Sequence, residues 1–268
     1  KVTPTRTPAD HALARLAATV MVQELRPGAV MNVGVGLSEE ASRFMYEAGL
    51  NDDLHQSTET GCYGGVPTSG VFFGSAVNAE KHESSSWVFH QYEQNLDLAC
   101  LGILEVDSDG NVNVSRRGPT PIDYVGPGGF TDITHCAKMI VFVGSFAAHA
   151  RMHLVGGRLV IDTPGEPKFV EKVAEVTFNG RRAIEAGKKV WYVTHLGAFR
   201  LTPDGLVLDR VMPGVDVERD IVAFAPAKIL VPDEVPVVPS DIVTGEGFRL
   251  SWPSAPADET PGTTVPVA

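Results

Sequence analysis

The residue in this sequence best placed to do chemistry is a carboxylate in a glycine-rich loop. Glu59 follows the strand-forming run 54–58 and precedes Gly61 and the pair Gly64-Gly65. Glycines let the backbone approach a ligand closely and adopt dihedral angles closed to other residues. A carboxylate held in such a loop can attack an activated acyl group as a nucleophile. The pattern alone does not separate this role from that of a solvated loop residue.

The segments before Glu59 predict the strand–helix–strand order of a parallel sheet. Residues 8–24 carry apolar side chains on one face and predict an amphipathic helix. The apolar run 29–35 predicts a buried strand, Ser38 caps a second helix, and residues 54–58 form the next strand. Parallel sheets bind ligands at the carboxyl ends of their strands, so we expect Glu59 at that edge.

The later segments predict more strands and several tight turns. Strands are expected at Leu98–Val106 and Met139–Gly144, and hairpins at residues 107–111, 156–157 and 203–205. We therefore predict an α/β fold, an open and mostly parallel sheet flanked by helices, with a smaller antiparallel extension.

Proline content divides the chain into two predicted parts. Residues 232–268 hold seven prolines and predict an extended tail. The expected organisation is a catalytic domain at residues 1–230 and a Pro-rich extension at residues 231–268, which we expect to pack on a partner chain.

Composition excludes several classes of protein. The formal net charge is −11, which argues against nucleic acid as a partner because phosphate binding needs a basic patch. No apolar run approaches the roughly 18 residues needed to cross a bilayer, so no membrane association is expected. Cys62, Cys100 and Cys136 form no CxxC pair, and an odd number is a poor disulfide framework. Together these features predict a cytoplasmic protein.

Three other signals point to nothing specific. Gly34-Val35-Gly36 lacks the third glycine of a dinucleotide fingerprint, because position 39 is Glu39. His149 and His153 have no carboxylate close in sequence, so an ordinary polar role is favoured and no metal site is predicted. Cys62 lies three residues after Glu59, but no neighbour in the sequence marks it as a catalytic thiol.

Five motifs together carry a family resemblance over roughly residues 10–228. They are Ala29-Val30-Met31-Asn32-Val33-Gly34-Val35-Gly36, Glu59-Thr60-Gly61, Gly110-Asn111-Val112-Asn113-Val114-Ser115, Gly126-Pro127-Gly128-Gly129-Phe130 and Pro213-Gly214-Val215-Asp216. In this order they resemble the family I coenzyme A transferases of the short-chain acyl-CoA:acetate and 3-oxoacid type. The resemblance is to the β subunit, or C-terminal half, of those enzymes.

The resemblance implies CoA transfer between carboxylic acids by a ping-pong reaction on Glu59. The carboxylate would attack an acyl-CoA thioester, and the released thiolate would convert the resulting anhydride to a glutamyl-CoA thioester. A carboxylic acid acceptor would then reverse these steps. Thioester energy is kept throughout, so the resemblance implies no cofactor and no metal.

The same resemblance implies roles for further residues. Backbone amides of Gly128 and Gly129 are candidate donors to the oxyanions, worth roughly 3–4 kcal/mol for each well-placed donor. The candidate contacts to acyl-CoA are Asn32, Gly61, Lys81 and Gly126. Simpler interpretations stay open: Asn32 as a strand-end residue that satisfies local backbone, Lys81 as a solvated lysine, and residues 126–129 as a plain turn.

Two departures from the family pattern bear on function. Glu93-Gln94-Asn95 stands where relatives have small glycine-rich residues before Leu96-Asp97, and we expect it close to the substrate. This segment keeps open an alternative, an acyl-CoA thioester hydrolase; a non-catalytic acyl-CoA-binding subunit is a further alternative. The α half of the enzyme is also missing, which implies a hetero-oligomer with an α subunit, or an N-terminal half cut away before Lys1.

Overall fold

The computed structural model describes residues 5–253, in which helices flank one large sheet. The helices of this range are α1 (Pro8–Glu24), α2 (Leu37–Glu47), α3 (Ser85–Gln94), α4 (Phe130–Cys136), α5 (Gly180–Glu185) and α6 (Ser240–Thr244). Its strands are β1 (Ala29–Val33), β2 (Leu54–Ser57), β3 (Cys62–Tyr63), β4 (Val66–Pro67), β5 (Ala76–Val77), β6 (Lys81–His82), β7 (Leu98–Leu101), β8 (Glu105–Val106), β9 (Val112–Asn113), β10 (Met139–Val143), β11 (Ala147–Ala148), β12 (Arg151–Val155), β13 (Arg158–Thr163), β14 (Glu166–Pro167), β15 (Lys189–Thr194), β16 (Gly197–Thr202), β17 (Gly205–Val211) and β18 (Ile229–Leu230).

The main sheet is parallel at its centre and antiparallel towards both sides, which confirms the predicted fold class. Its strand order is β18-β17-β16-β15-β10-β7-β1-β2-β3-β6. Strands β2, β1, β7, β10 and β15 run parallel, whereas β16 and β3 run antiparallel to their neighbours. Every residue of β7 and β10 is buried, as expected for strands covered on both faces. The carboxyl ends of the parallel strands therefore form one common edge.

Helices α2 and α3 cover opposite faces of this sheet near β2. Gln56 accepts a hydrogen bond from Ser42 of α2 at 2.7 Å, whereas the adjacent Ser57 bonds to Tyr92 of α3 at 2.9 Å. Successive strand residues point to opposite faces, so the two helices lie on the two sides. Helix α3 begins near the carboxyl edge of the sheet and ends near the amino edge.

Helix α1 begins at the expected residue, but its buried side chains cover more than one face of the helix. The side chain of Thr7 accepts from Asp10 N, and Asp10 Oδ2 accepts from Thr7 N, which forms a capping box. Eleven of its residues are buried, among them Arg15, so the predicted amphipathic pattern is wrong. The reason is that elements distant in sequence, α2 and α6, cover the faces that the sheet leaves open.

The predicted hairpins are confirmed, with one change to a strand. Hairpins pair β8 with β9, β12 with β13, and β16 with β17. The single strand expected at Leu98–Val106 is two strands, because the chain leaves the sheet after Leu101 and Leu104 N bonds instead to Asn113 O at 3.0 Å. Helix α2 starts at Leu37 and its N-cap is Gly36, so the predicted cap at Ser38 is wrong.

The C-terminal part of the described range lies on the same domain. Arg15 donates from Nε to Ile242 O at 2.6 Å and from a terminal nitrogen to Val243 O at 2.8 Å. Trp252 Nε1 donates to Asp53 at 2.9 Å, close to the start of β2. The boundary at residue 230 stays a prediction, and residues 254–268 of the predicted extension lie outside the described part. None of the helices between residues 5 and 253 is long and apolar enough to cross a membrane.

Candidate active site

Glu59 lies in a tight turn at the carboxyl end of β2, the edge predicted for it. Gly61 N donates to Thr58 O at 3.1 Å, and Thr58 N donates to Cys62 O at 3.0 Å. The half-buried Glu59 side chain makes no hydrogen bond or ion pair with any residue in the range 5–253. Its carboxylate is therefore presented at the tip of a backbone-fixed turn and is free to meet a ligand.

A second segment anchors this turn from outside. Thr60 Oγ1 and Cys62 Sγ both donate to Gly74 O, at 2.6 Å and 3.1 Å. Cys62 is buried, and its bond to Gly74 O gives the thiol a structural role. The loop around residue 74 thereby holds the Glu59 turn on one side.

Gly61 is required by the packing of the turn. Its φ is +112°, and a Cβ built on it would lie 2.0 Å from Glu83 O. Side chains cannot occupy that space, and φ values of this kind are rarely adopted outside glycine. The glycine after Glu59 is thus explained by backbone geometry. A contact of Gly61 to acyl-CoA stays a prediction.

A buried polar cluster lies beneath the Glu59 turn. Asn32 Nδ2 donates to the Tyr92 hydroxyl at 3.0 Å, and the same hydroxyl bonds to Ser57 Oγ at 2.9 Å. These three side chains are at most 2% exposed, and Asn32 Oδ1 is buried without a partner. Burial raises the pKa of Tyr92 far above its ordinary value, and the nearby charge of Glu59 adds to that effect. The structure therefore brings Asn32 and Glu59 to the same place.

The predicted oxyanion loop approaches this cluster through an aromatic contact. A Cβ at Gly129 would lie 2.5 Å from Phe89 Cζ, and the Phe89 ring packs edge-on against Tyr92 with centroids 6.0 Å apart. A Cβ at Gly126 or Gly128 would meet no atom within 4 Å, so both positions face open space. Phe89 of α3 thus links this loop to Tyr92. The donor roles of Gly128 and Gly129 stay predictions.

Lys81 lies on β6 and contacts Glu83 and Tyr63. Its ammonium lies 3.4 Å from a Glu83 carboxylate oxygen and 4.5 Å from the centroid of the Tyr63 ring. The side chain lines a cavity of about 280 Å³ on the outside of β2, together with Gln91 and Gln94. Its contact to acyl-CoA stays a prediction.

The segment Glu93-Gln94-Asn95 does not lie beside Glu59, contrary to expectation. Lys138 Nζ donates to Asn95 Oδ1 at 2.7 Å and to Asp97 Oδ1 at 2.8 Å. Asp97 also accepts from Val30 N at 2.9 Å, which places these groups at the amino ends of β1, β7 and β10. The expectation is wrong because α3 crosses the sheet before it reaches Asn95.

A buried carboxylate at the same carboxyl edge was not foreseen. Glu39 is 3% exposed, accepts from Gly36 N at 3.1 Å, and lies 3.9 Å from Arg6. Burial raises the pKa of Glu39 to about 7, against the lowering effect of the Gly36 amide and Arg6. This carboxyl group therefore titrates near neutral pH.

The asparagines of the third motif have structural roles. Asn111 Oδ1 accepts from Gly180 N at 3.0 Å. Asn113 Oδ1 accepts from Ser115 N and Arg116 N, and its Nδ2 donates to Glu105 at 2.8 Å. Because Arg116 begins the segment that leads to Gly126, the motif fixes the base of the glycine-rich loop.

Sequence reasoning missed Tyr92, Ser57 and Phe89. A usable signal was present, because Ser84 caps α3 and accepts from Trp87 N at 3.2 Å. Val88, Phe89 and Tyr92 then follow at the spacing of one helix face. This pattern predicts a helix but does not reveal which strand it covers.

Curated proteins that resemble this chain are CoA-transferases. The caffeate CoA-transferase of Acetobacterium woodii is 35% identical over 211 residues, covering 76% of this chain and 40% of that protein. The acetate CoA-transferase YdiF of Escherichia coli K12 is 37% identical over 210 residues, covering 77% of this chain and 39% of the relative. The chain thus spans about two fifths of the length of these relatives. No family model matches the chain.

Solved structures give the same result. The apoenzyme of the acyl-CoA transferase YdiF from Escherichia coli O157:H7 matches with a TM-score of 0.79 and 32% identity, over 90% of this chain and 46% of that chain. Its thioester complex with CoA matches with a TM-score of 0.78 and 31% identity, over 93% and 47%. Glutaconate CoA-transferase of Acidaminococcus fermentans shares the fold, with a TM-score of 0.64 and 16% identity over 90% and 91%. Sequence and fold together show that this chain belongs to the family I coenzyme A transferases.

Proposed function

We propose that this chain carries the nucleophile of a CoA transferase and that Glu59 is that nucleophile. The supporting observation is the free Glu59 carboxylate at the tip of a fixed turn, above the cluster of Asn32, Tyr92 and Ser57. The substrates would be an acyl-CoA and a carboxylic acid acceptor. The relatives named as CoA-transferases support this class of reaction.

The proposed reaction passes through two covalent intermediates. A Glu59 oxygen attacks the thioester carbon, the C–S bond breaks, and CoA thiolate leaves behind a mixed anhydride. The thiolate attacks the Glu59 carbonyl carbon, the anhydride C–O bond breaks, and the first carboxylic acid departs. An acceptor carboxylate then runs both steps in reverse and leaves as the new acyl-CoA.

Each addition step develops an oxyanion that needs donors. The open space beside Gly126 and Gly128 allows a ligand to approach the backbone of this loop. Well-placed amide donors of this kind are worth roughly 3–4 kcal/mol each to the transition state. We assign this role to the amides of Gly128 and Gly129, and the acyl-CoA contacts to Asn32, Gly61, Lys81 and Gly126.

A partner polypeptide would complete the site. Large apolar side chains in three loops are exposed to solvent, including Val35, Phe72 and Ile122, which is 91% exposed. Exposed apolar surface of this kind is typical of protein interfaces when it forms a patch. The curated relatives are more than twice as long as the matched region, so an α half or α subunit is the proposed partner.

The direct test is mass spectrometry of the complete complex after incubation with a panel of acyl-CoAs. A CoA adduct on the peptide that contains Glu59, absent in Glu59→Gln, would support the proposal. Borohydride reduction of the same thioester gives an independent readout. Release of free CoA without an adduct or an acceptor acid would favour a thioester hydrolase. Acyl-CoA binding without an adduct or CoA release would favour a non-catalytic subunit.

A further inference from the structure

The hydroxyl groups of Tyr92 and Ser57 share one hydrogen bond, which leaves one hydroxyl hydrogen without an acceptor inside the pair. Asn32 Nδ2 donates to the Tyr92 oxygen at 3.0 Å, and the two hydroxyls share one hydrogen bond at 2.9 Å. One hydroxyl hydrogen of the pair is therefore left for another acceptor. In a site this deeply buried, an unpaired hydroxyl hydrogen is costly, so an acceptor is expected close by.

Two residues around this pair carry oxygen acceptors, and neither oxygen forms a hydrogen bond to the pair. Asn32 Oδ1 is buried and has no partner, and the Glu59 carboxylate is close enough for its charge to act on Tyr92. Ser57 is the last residue of β2 and stands two positions before Glu59. A group fixed at Ser57 thus fixes the start of the turn that presents the carboxylate.

Tyr92 is held rigidly from its other side as well. It is 1% exposed, and the Phe89 ring packs against it edge-on. Phe89 in turn touches Gly129 in the glycine-rich loop. Tyr92 therefore connects β1, β2 and that loop at one point.

We propose that Tyr92 is a positioning residue for Glu59, acting through its hydroxyl contacts with Ser57 and Asn32. The inference rests on the proposed function, because it assigns Glu59 the covalent step. Loss of the hydroxyl releases the Asn32 amide and the end of β2 together. The Glu59 carboxylate then spends less time in the geometry that attacks the thioester.

The test is the rate of glutamyl-CoA formation by Tyr92→Phe in the complete complex, measured by rapid quench and mass spectrometry. At saturating acyl-CoA we expect the rate to fall roughly 10- to 100-fold, because small misplacements of reacting groups cause losses of this size. The acyl-CoA concentration at half saturation is expected to change less than about twofold, because the binding surface is kept. A purely structural defect would change both the rate at saturation and the acyl-CoA concentration at half saturation.

Tyr192→Phe is the matched control. Tyr192 is also fully buried in the sheet and donates to Gly110 O at 2.5 Å, but it lies on β15, four strands from β2. It is expected to keep the wild-type rate even where its melting temperature falls. Ser57→Ala should slow the reaction as Tyr92→Phe does, and the double variant should be no slower than either single variant.

The outcomes separate the two proposals. If wild type forms no adduct, the proposed function fails and the role of Tyr92 falls with it. If wild type forms the adduct and Tyr92→Phe matches its rate, only the role of Tyr92 is overturned. An equal loss in Tyr192→Phe and Tyr92→Phe would also overturn it, because the effect would then be general.

Discussion

Gly61 and Glu83 approach each other so closely that no side chain fits between them. Glu83 N donates to Gly61 O at 2.9 Å, and a Cβ on Gly61 would lie 2.0 Å from Glu83 O. The contact joins the turn that carries Glu59 to the segment that enters α3. The position of the proposed nucleophile therefore depends on the backbone packing of this glycine.

Gly61→Ala should destabilise the domain and slow adduct formation. The clash with Glu83 O and the φ of +112° both oppose a side chain, and we expect a loss of about 2–4 kcal/mol in unfolding free energy. Urea unfolding and the adduct assay would measure both effects. Gly49→Ala is the control, because its φ is +75° but a Cβ there meets no atom within 4 Å. Equal losses in the two variants would show that backbone strain alone is responsible.

Gly129→Ala should slow adduct formation through a steric clash, and a second substitution that relieves the clash should restore part of the rate. The φ of Gly129 is −77°, so alanine is not strained there, and the obstacle is the Phe89 ring. Phe89→Leu should restore part of the rate, with a coupling energy of about 0.5–3 kcal/mol in a double-mutant cycle. Gly126→Ala, with open space around it, should leave the stability of the domain unchanged. Additive effects at positions 89 and 129 would contradict this interpretation.

Glu39 should make stability fall as pH rises through neutrality. Burial raises the pKa of Glu39 from 4.5 to about 7 in the folded protein. Between these values the native state binds more protons than the unfolded state, so the free energy of unfolding decreases with pH. Glu39→Gln keeps an acceptor for Gly36 N and should be more stable than wild type by about 1–2 kcal/mol at pH 8, and similar to it at pH 4.5. A difference in unfolding free energy between Glu39→Gln and wild type that stays constant from pH 4.5 to pH 8 would refute the assignment.

Arg15 should be essential for the packing of residues 240–252. Arg15→Met leaves the carbonyls of Ile242 and Val243 without donors, and we expect a loss of about 2–3 kcal/mol. Hydrogen exchange in α6 should rise in the same variant. Arg26→Met, at an exposed arginine beyond the end of α1, should change stability by less than about 0.5 kcal/mol. Unchanged exchange in α6 would mean that its attachment rests on other contacts.

The sequence predicts those parts of this domain that are specified locally. Strand β1, helix α2, strand β2 and the hairpins follow from apolar runs and turn residues, and these signals act between near neighbours in the sequence. The bond between Tyr92 and Ser57 spans 35 residues and depends on which strands lie side by side. No local pattern contains that information.

The same reasoning explains the errors around the candidate site. The sequence marks Glu39 only as the residue that replaces a third glycine, and its buried contact with Arg6 joins two separate segments. Glu93-Gln94-Asn95 is expected close to substrate because it stands where the resembling family has small glycine-rich residues. A helix that crosses the sheet carries its end to the other edge, and only the three-dimensional path shows this.

The docking of α6 on α1 sets an order for biosynthesis. Arg15 leaves the ribosome 227 residues before Ile242, its hydrogen-bond acceptor. Until then the part of α1 that packs on α6 is uncovered, and partly folded chains with exposed apolar surface are prone to aggregate. The domain therefore completes its folding late in translation, and a chain that stalls before residue 240 is a natural client for chaperones.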